Sequence, residues 1–303
     1  MKKWIKAARL RTLPLSISGI IVGTACAFPL YQNQLHFWWI FGLCLLTTLF
    51  FQVLSNYAND YGDAVKGTDN EHRVGPKRAI QSGEITASQM KKAIWITAGL
   101  SLLSSIAVVY VSFGKEDFAW AIFYLFLAMA CIGAAIKYTV GNSAYGYKGL
   151  GDIFVFVFFG LVSTLGTYYL YAHSLDLKVG FPAAAIGLLS TAVLNMNNMR
   201  DIHNDAAMNK NTLVVKMGFE KAKQYHFFLI LTAVILLNTY GLGVNFTWYT
   251  WFFVLAYIPL LKNLKKVNSV SNPRDLDPEL KRISLSTFFI SLLFSIAIII
   301  NSL

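Results

Sequence analysis

Charge is scarce in this sequence. Lys, Arg, Asp and Glu supply 14% of its 303 residues, where a water-soluble domain carries about a quarter. None of the four occurs between Thr12 and Asn59, or between Val179 and Met199. The shortage excludes a soluble globular chain, because uncharged runs long enough to cross a bilayer recur throughout. Alternation of apolar and polar residues is missing too, which excludes transmembrane strands. Cysteine is limited to Cys26, Cys44 and Cys131, each inside an apolar run. They are expected as small buried hydrophobes, not as disulfides or metal ligands. The five histidines show no metal-ligand spacing. No soluble domain, low-complexity tract or separating linker is visible, so residues 1–303 are expected to form one domain.

What is present in abundance is apolar surface, at 56% of residues with 15% aromatic. The expected fold class is all-α, a polytopic membrane bundle of nine transmembrane helices. The spans fall at 13–31, 37–59, 93–114, 118–138, 153–173, 179–199, 225–242, 244–261 and 283–303. The seventh and eighth come from one uncharged run, divided near Gly241 to Asn245. With the N-terminus in the cytoplasm, every Lys and Arg except Lys115 and Lys178 lies on the cytoplasmic side, as positive-inside orientation requires. The formal charge of +11 is therefore assigned to topology and anionic membrane lipid, not to nucleic acid. The opening residues superficially resemble a signal peptide; an uncleaved first helix is expected instead. The location expected is the bacterial cytoplasmic (inner) membrane, multi-pass.

Two clusters of Asn and Asp stand out against this background. Asn56, Asn59, Asp60 and Asp63 close the first uncharged run, and Asn197, Asn198, Asp201 and Asp205 close the run that ends at Met199. Carboxylates near membrane depth cost roughly 2.5–3.5 kcal/mol each at a helix centre, so their presence points to function. On a helix, Asn56, Asp60 and Asp63 fall within about 60° of one another, and Asn197, Asp201 and Asp205 sweep about 80°. Oxygen ligands without sulfur or imidazole suit Mg²⁺ or Mn²⁺. Mg²⁺ usually keeps waters and takes substrate phosphate oxygens, so two opposed acidic faces would hold a diphosphate through bridging metals. Lys66, Arg73, Lys77 and Arg78 follow the first cluster, Arg200 and Lys210 lie within the second, and Lys137 and Lys148 flank a third loop. Carboxylates for metal and cations for departing negative charge are what such a site needs.

These residues resemble the paired Asp-rich motifs of the UbiA superfamily of intramembrane aromatic prenyltransferases. The stretch from Asn59-Asp60-Tyr61-Gly62-Asp63 through Lys66-Gly67-Thr68-Asp69, Gly75-Pro76 and Ser82-Gly83 is similar to the branch acting on 1,4-dihydroxy-2-naphthoate in menaquinone biosynthesis. Arg11-Thr12-Leu13-Pro14, Tyr147-Lys148-Gly149-Leu150-Gly151-Asp152 and Asn197-Asn198-Met199-Arg200-Asp201 fit it as well. The chain departs from the general pattern at the third acid of each motif, where it has Gly67 and Asn209. The resemblance implies transfer of a polyprenyl group from polyprenyl diphosphate to the naphthoate, with loss of CO₂ to give demethylmenaquinol, in an active site toward the cytoplasm. It implies metal binding by Asn56, Asp60, Asp63, Asn197, Asp201 and Asp205, the four Asp also being catalytic. Substrate contacts are expected from Lys66, Asp69, Arg73, Lys77, Arg78, Lys148, Arg200 and Lys210. Arg11, Lys137 and Asp152 would orient the naphthoate, and Tyr138, Phe154, Phe156 and Phe158 would face an allylic cation. Competing readings change the acceptor (4-hydroxybenzoate, homogentisate, chlorophyllide or haem) or the class. An ion-coupled transporter would place its acids near the bilayer midplane on broken helices with inverted repeats, and these clusters sit at span ends. Prenyl length, the choice of Mg²⁺ or Mn²⁺ and oligomeric state are left open by the sequence.

Overall fold

The structure, a computed structural model, describes residues 2–9, 12–31, 35–71, 73–115 and 117–303, with backbone only at 31 and 35. Arg11 lies outside the described residues. Among those described there is no strand; every regular element is a helix. In order the helices are α1 (Lys2–Ala8), α2 (Leu13–Tyr31), α3 (Leu35–Val65), α4 (Ala87–Phe113), α5 (Phe118–Lys137), α6 (Gly151–Val155), α7 (Ser163–Ala172), α8 (Gly180–Arg200), α9 (Ile202–Ala207), α10 (Leu213–Met217), α11 (Phe219–Gly243), α12 (Ile258–Ser269) and α13 (Asp277–Ser302). A π-helical stretch, Phe156–Val162, joins α6 to α7. Helix is what such a sequence must adopt in lipid, because the backbone finds no water to bond.

Small residues bring the helices together. A Cβ on Gly160 would lie 2.7 Å from the Ala183 carbonyl oxygen, which packs the π-helical stretch hard onto α8. Gly62 of α3 is closed in by Thr139, whose carbonyl carbon would be 2.7 Å from an added Cβ. Close backbone approach of this kind is how helices associate where lipid gives no hydrophobic drive. The neighbours that result are α3 with α4, α8 with α11, α13 with α2, and α2 with α7.

Side-chain contacts sort the connections into two ends of the bundle. At one end Lys6 pairs with Glu84, Tyr147 with Asp63, Lys216 with the Lys148 carbonyl, and Arg200 with Asp277. At the other, Ser112 bonds the Leu170 carbonyl, Lys178 the Gly243 carbonyl, and Asn301 the Thr247 amide. Both acid clusters belong to the first end.

Eight helices among the described residues are long and apolar enough to cross a membrane. The ninth expected over 244–261 takes another form. Its first part is a 3₁₀ helix, Trp248–Tyr257, which runs into the amphipathic α12. Pro259, in the first turn of α12, has no N–H to give, so the change from 3₁₀ to α-helix falls where a first-turn proline is tolerated. The second acid triplet also departs from expectation. α8 stops at Arg200, Asp201 takes φ −95° and ψ 8°, and Asp205 sits on the separate α9. The first triplet lies on one unbroken helix, α3.

Candidate active site

α3 and α9 end in the same way, and that ending sets the site. The Asp63 carbonyl accepts from the Thr68 amide at 2.9 Å, and the Asp205 carbonyl from the Lys210 amide at 2.8 Å. Each loop turns through a left-handed residue four places after the acid, Gly67 at φ +74° and Asn209 at φ +55°. A six-to-one bond around a left-handed residue is the Schellman stop, for which Gly and Asn are the favoured types. Both departures from the three-acid pattern are therefore turn residues. Asn209 is exposed, away from the carboxylates.

The two clusters meet around Lys210, whose Nζ is 3.9 Å from Asp63 Oδ1 and 3.8 Å from Asp205 Oδ1. Burial works against the ammonium, but these carboxylates hold it above its ordinary range. Burial pushes the Asp205 carboxyl up to about 6, and Asp205 Oδ2 is buried without a hydrogen-bond partner. Asp69 is pushed up to about 7 by burial with Asp63 adding to it, although Arg73 (3.2 Å) and Arg78 (3.4 Å) pair with it. Acids raised by burial, both with buried oxygens that lack a hydrogen-bond partner, are a donor set that fits a hard divalent cation. No ready-made group of three His, Cys, Asp or Glu ligands is assembled among the described residues. That agrees with Mg²⁺, which takes one or two carboxylates and completes its shell with water and phosphate.

A cavity of about 990 Å³ opens beside this cluster. Its polar end is lined by Asn56, Asn59, Asp63, Asn197, Asn198, Arg9, Arg78, Arg200 and Lys210, and its body by apolar residues of α2, α4, α5, α7 and α8. Tyr138, Tyr145, Phe154 and Phe158 also line it. Tyr145 stacks on Phe154 with centroids 3.8 Å apart, and Tyr138 meets Tyr145 edge-on at 5.3 Å.

The expected site residues divide on this geometry. Asn56, Asp63, Asn197, Tyr138, Phe154, Phe158, Arg78, Arg200 and Lys210 reach the cavity wall. Asp60, Asp201 and Asp205 lie behind it. Asp60 accepts from the amides of Ala79 (3.1 Å) and Ile80 (3.4 Å), pinning the following loop. Asp201 is gripped by Arg200 through Nε (3.1 Å) and Nη2 (2.6 Å), while Arg200 also holds Asn197 (3.0 Å) and Asp277 (2.8 Å). Lys66 lies over the Tyr147 ring and Arg73 is tied to Asp69.

Five further expected residues do not line the cavity. Lys77, Lys137 and Lys148 are exposed at the bundle surface. Asp152 is buried on the α8 side, with the Tyr225 hydroxyl as neighbour, and is not positioned to orient a ring in the cavity. Phe156 packs on Gly187 of α8 and is not a cavity residue.

Arg9, Asn59, Asn198, Asp277 and Lys281 also line the cavity, and Tyr147 bonds Asp63, though none of the six has a role expected from the sequence. For Asn59 a signal existed. On α3 it falls about 60° to one side of Asn56 with Asp63 between them, while Asp60 falls about 40° to the other side. Arg9, in the cavity wall, is lowered to about 10 by burial, against the opposing field of Asp60. Nothing local in the sequence marks Asp277 or Lys281, which α13 brings in from far along the chain.

Comparison with known proteins agrees with this architecture. The model of the UbiA prenyltransferase family matches residues 20–293. The 1,4-dihydroxy-2-naphthoate octaprenyltransferase of Haemophilus influenzae is 41% identical over 99% of this chain and 97% of its own. The Escherichia coli protein of the same name is 42% identical over 98% of this chain and 95% of its own. A UbiA homolog from Archaeoglobus fulgidus, solved bound to GPP and Mg²⁺, shares the fold at TM-score 0.67 and 19% identity, covering 99% of each chain. With a full-length match in sequence and in fold, the chain belongs to the UbiA prenyltransferase family.

Proposed function

We propose that the protein transfers a polyprenyl group from polyprenyl diphosphate to 1,4-dihydroxy-2-naphthoate, with decarboxylation, at a Mg²⁺-dependent site facing the cytoplasm in a bacterial inner membrane. The observation that carries the reading is the cavity, whose acid- and cation-rich end opens directly into an apolar, aromatic-lined body. The polar end suits a diphosphate and the body suits an isoprenoid tail. Relatives above 40% identity carry the name of this naphthoate activity, which favours it over 4-hydroxybenzoate, homogentisate or ion transport.

Asn56, Asp60, Asp63, Asn197, Asp201 and Asp205 are assigned to the metal. When bound, Mg²⁺ would neutralise charge developing on the diphosphate oxygens. Lys210 and Arg78, at the polar end, add fixed positive charge toward the same oxygens. The carbon–oxygen bond breaks with its electron pair on the diphosphate. The naphthoate ring supplies the pair for the new carbon–carbon bond, and its carboxylate leaves as CO₂. Tyr138, Tyr145, Phe154 and Phe158 line the cavity body, where aromatic rings would stabilise an allylic cation. The apolar wall keeps out water that would quench it.

Purified protein given dihydroxynaphthoate and a ladder of prenyl diphosphates tests this by mass detection. A prenylated, CO₂-depleted product is expected, abolished by EDTA and restored by Mg²⁺. Product with 4-hydroxybenzoate but not the naphthoate would reassign the acceptor. Full turnover in EDTA would remove the metal from the mechanism.

A further inference from the structure

Tyr147 lies on the short 3₁₀ turn Tyr145–Lys148, between the two acid-bearing helix ends. Its hydroxyl is 2.8 Å from Asp63 Oδ1 and 2.6 Å from Thr68 Oγ1. An ionised carboxylate only accepts, so the phenol gives its one proton to Asp63 and takes one from Thr68. The resulting chain runs Thr68 to Tyr147 to Asp63, each bond polarising the next. The ring is used as well: Lys66 Nζ stands 3.8 Å from its centroid and Lys210 Nζ 5.4 Å. The Tyr147 carbonyl accepts from the Asn211 amide at 3.1 Å, which fastens the turn to the loop after α9. Asn204 of α9 donates to the Thr68 carbonyl at 3.1 Å and closes the circuit.

We propose that Tyr147 is a positioning residue for the diphosphate end of the site. Its hydroxyl fixes one oxygen of Asp63 and leaves the other to face a cation, and its ring sets the spacing of Lys66 and Lys210. Acid and cations are then held as one preset group, so less ordering is required when a metal–diphosphate arrives. The inference rests on the reading of the site as a diphosphate site, but not on which aromatic acceptor follows.

The test uses the full-length protein in detergent micelles. Titration calorimetry with inorganic diphosphate in Mg²⁺ buffer is paired with separate KM values for prenyl diphosphate and naphthoate. Tyr147→Phe keeps the ring under both lysines and removes the hydroxyl. It is expected to weaken diphosphate binding about tenfold, about 1.4 kcal/mol, and to raise the prenyl diphosphate KM while the naphthoate KM stays put. Tyr147→Leu, which loses the ring too, is expected to weaken binding about a hundredfold, or 2.8 kcal/mol. Thr68→Val, at the remote end of the chain, is expected to cost about threefold on the same scale. Wild-type diphosphate affinity in Tyr147→Phe overturns the proposal. So does an equal rise in both KM values with a lowered melting temperature, which would make Tyr147 a loop tie only. If Tyr147→Leu does not fold, the Phe variant decides. Failure of the wild-type protein to bind diphosphate in Mg²⁺ would instead sink the reading of the site itself.

Discussion

Two cations line the cavity beside the acids. Arg200 covers Asp201, and Lys210 bridges Asp63 and Asp205. Their buried positive charge offsets carboxylates that would otherwise be costly to keep ionised. Removing Arg200 as Arg200→Met leaves Asp201 buried and unpaired, with an expected destabilisation of about 3 kcal/mol. Thermal unfolding in micelles measures it, and an unchanged midpoint would mean Asp201 finds another partner. Lys210→Met is expected to slow prenyl transfer by about 10²–10³-fold, the usual cost of one preorganised electrostatic contact. Asp60→Ala and Asp201→Ala are expected to abolish transfer while the protein still inserts in membranes. Much of this was legible in the sequence at the first cluster, because no proline lies between Asn56 and Val65 and the single Gly62 weakens a helix without ending it. The second cluster misled: the stretch from Asn197 to Ala207 has neither Gly nor Pro. At the break Arg200 is held by its near neighbours Asn197 and Asp201 and, from far along the chain, by Asp277, a contact that local sequence does not announce.

At the scale of elements, glycine decides which helices touch. Gly160→Ala would press a methyl group to within 2.7 Å of the Ala183 carbonyl and the Gly187 amide nitrogen. An overpacking cost of about 2 kcal/mol is expected. Because the neighbours Phe158 and Phe159 line the cavity, transfer should fall along with the melting temperature. A variant of normal stability and rate would show that the π-helical stretch can shift aside. Counting apolar residues anticipated the eight helices that are long and apolar enough to cross a membrane among the described residues. Hydropathy does not distinguish a 3₁₀ from an α-helix, and it overlooks the missing N–H of Pro259. The far contribution of α13 was illegible for another reason: Asp277 and Lys281 join the site only through packing of helices remote in sequence.

For the whole molecule, the distribution of charge separates the two ends. Lys115 and Lys178 belong to the end away from the acid clusters, and the remaining described cations gather nearer the acids. If positive-inside orientation holds, the cavity's polar end faces the cytoplasm. A cysteine at Lys115 should then react with a membrane-impermeant maleimide in intact cells, and one at Lys77 only after the membrane is opened. The reverse pattern would invert the protein and leave the site on the wrong side for a cytoplasmic diphosphate.

The matched helix stops after Asp63 and Asp205 carry a thermodynamic consequence. Each acid spends its main-chain oxygen closing the turn that its own side chain serves. Tension applied to either carboxylate by a bound ligand is thereby transmitted to the amides of Thr68 and Lys210. Occupancy and local order at the two loops become a single linked equilibrium, in which each raises the other. Hydrogen exchange at those two amides should slow together when Mg²⁺ and diphosphate are added, even with no aromatic acceptor present.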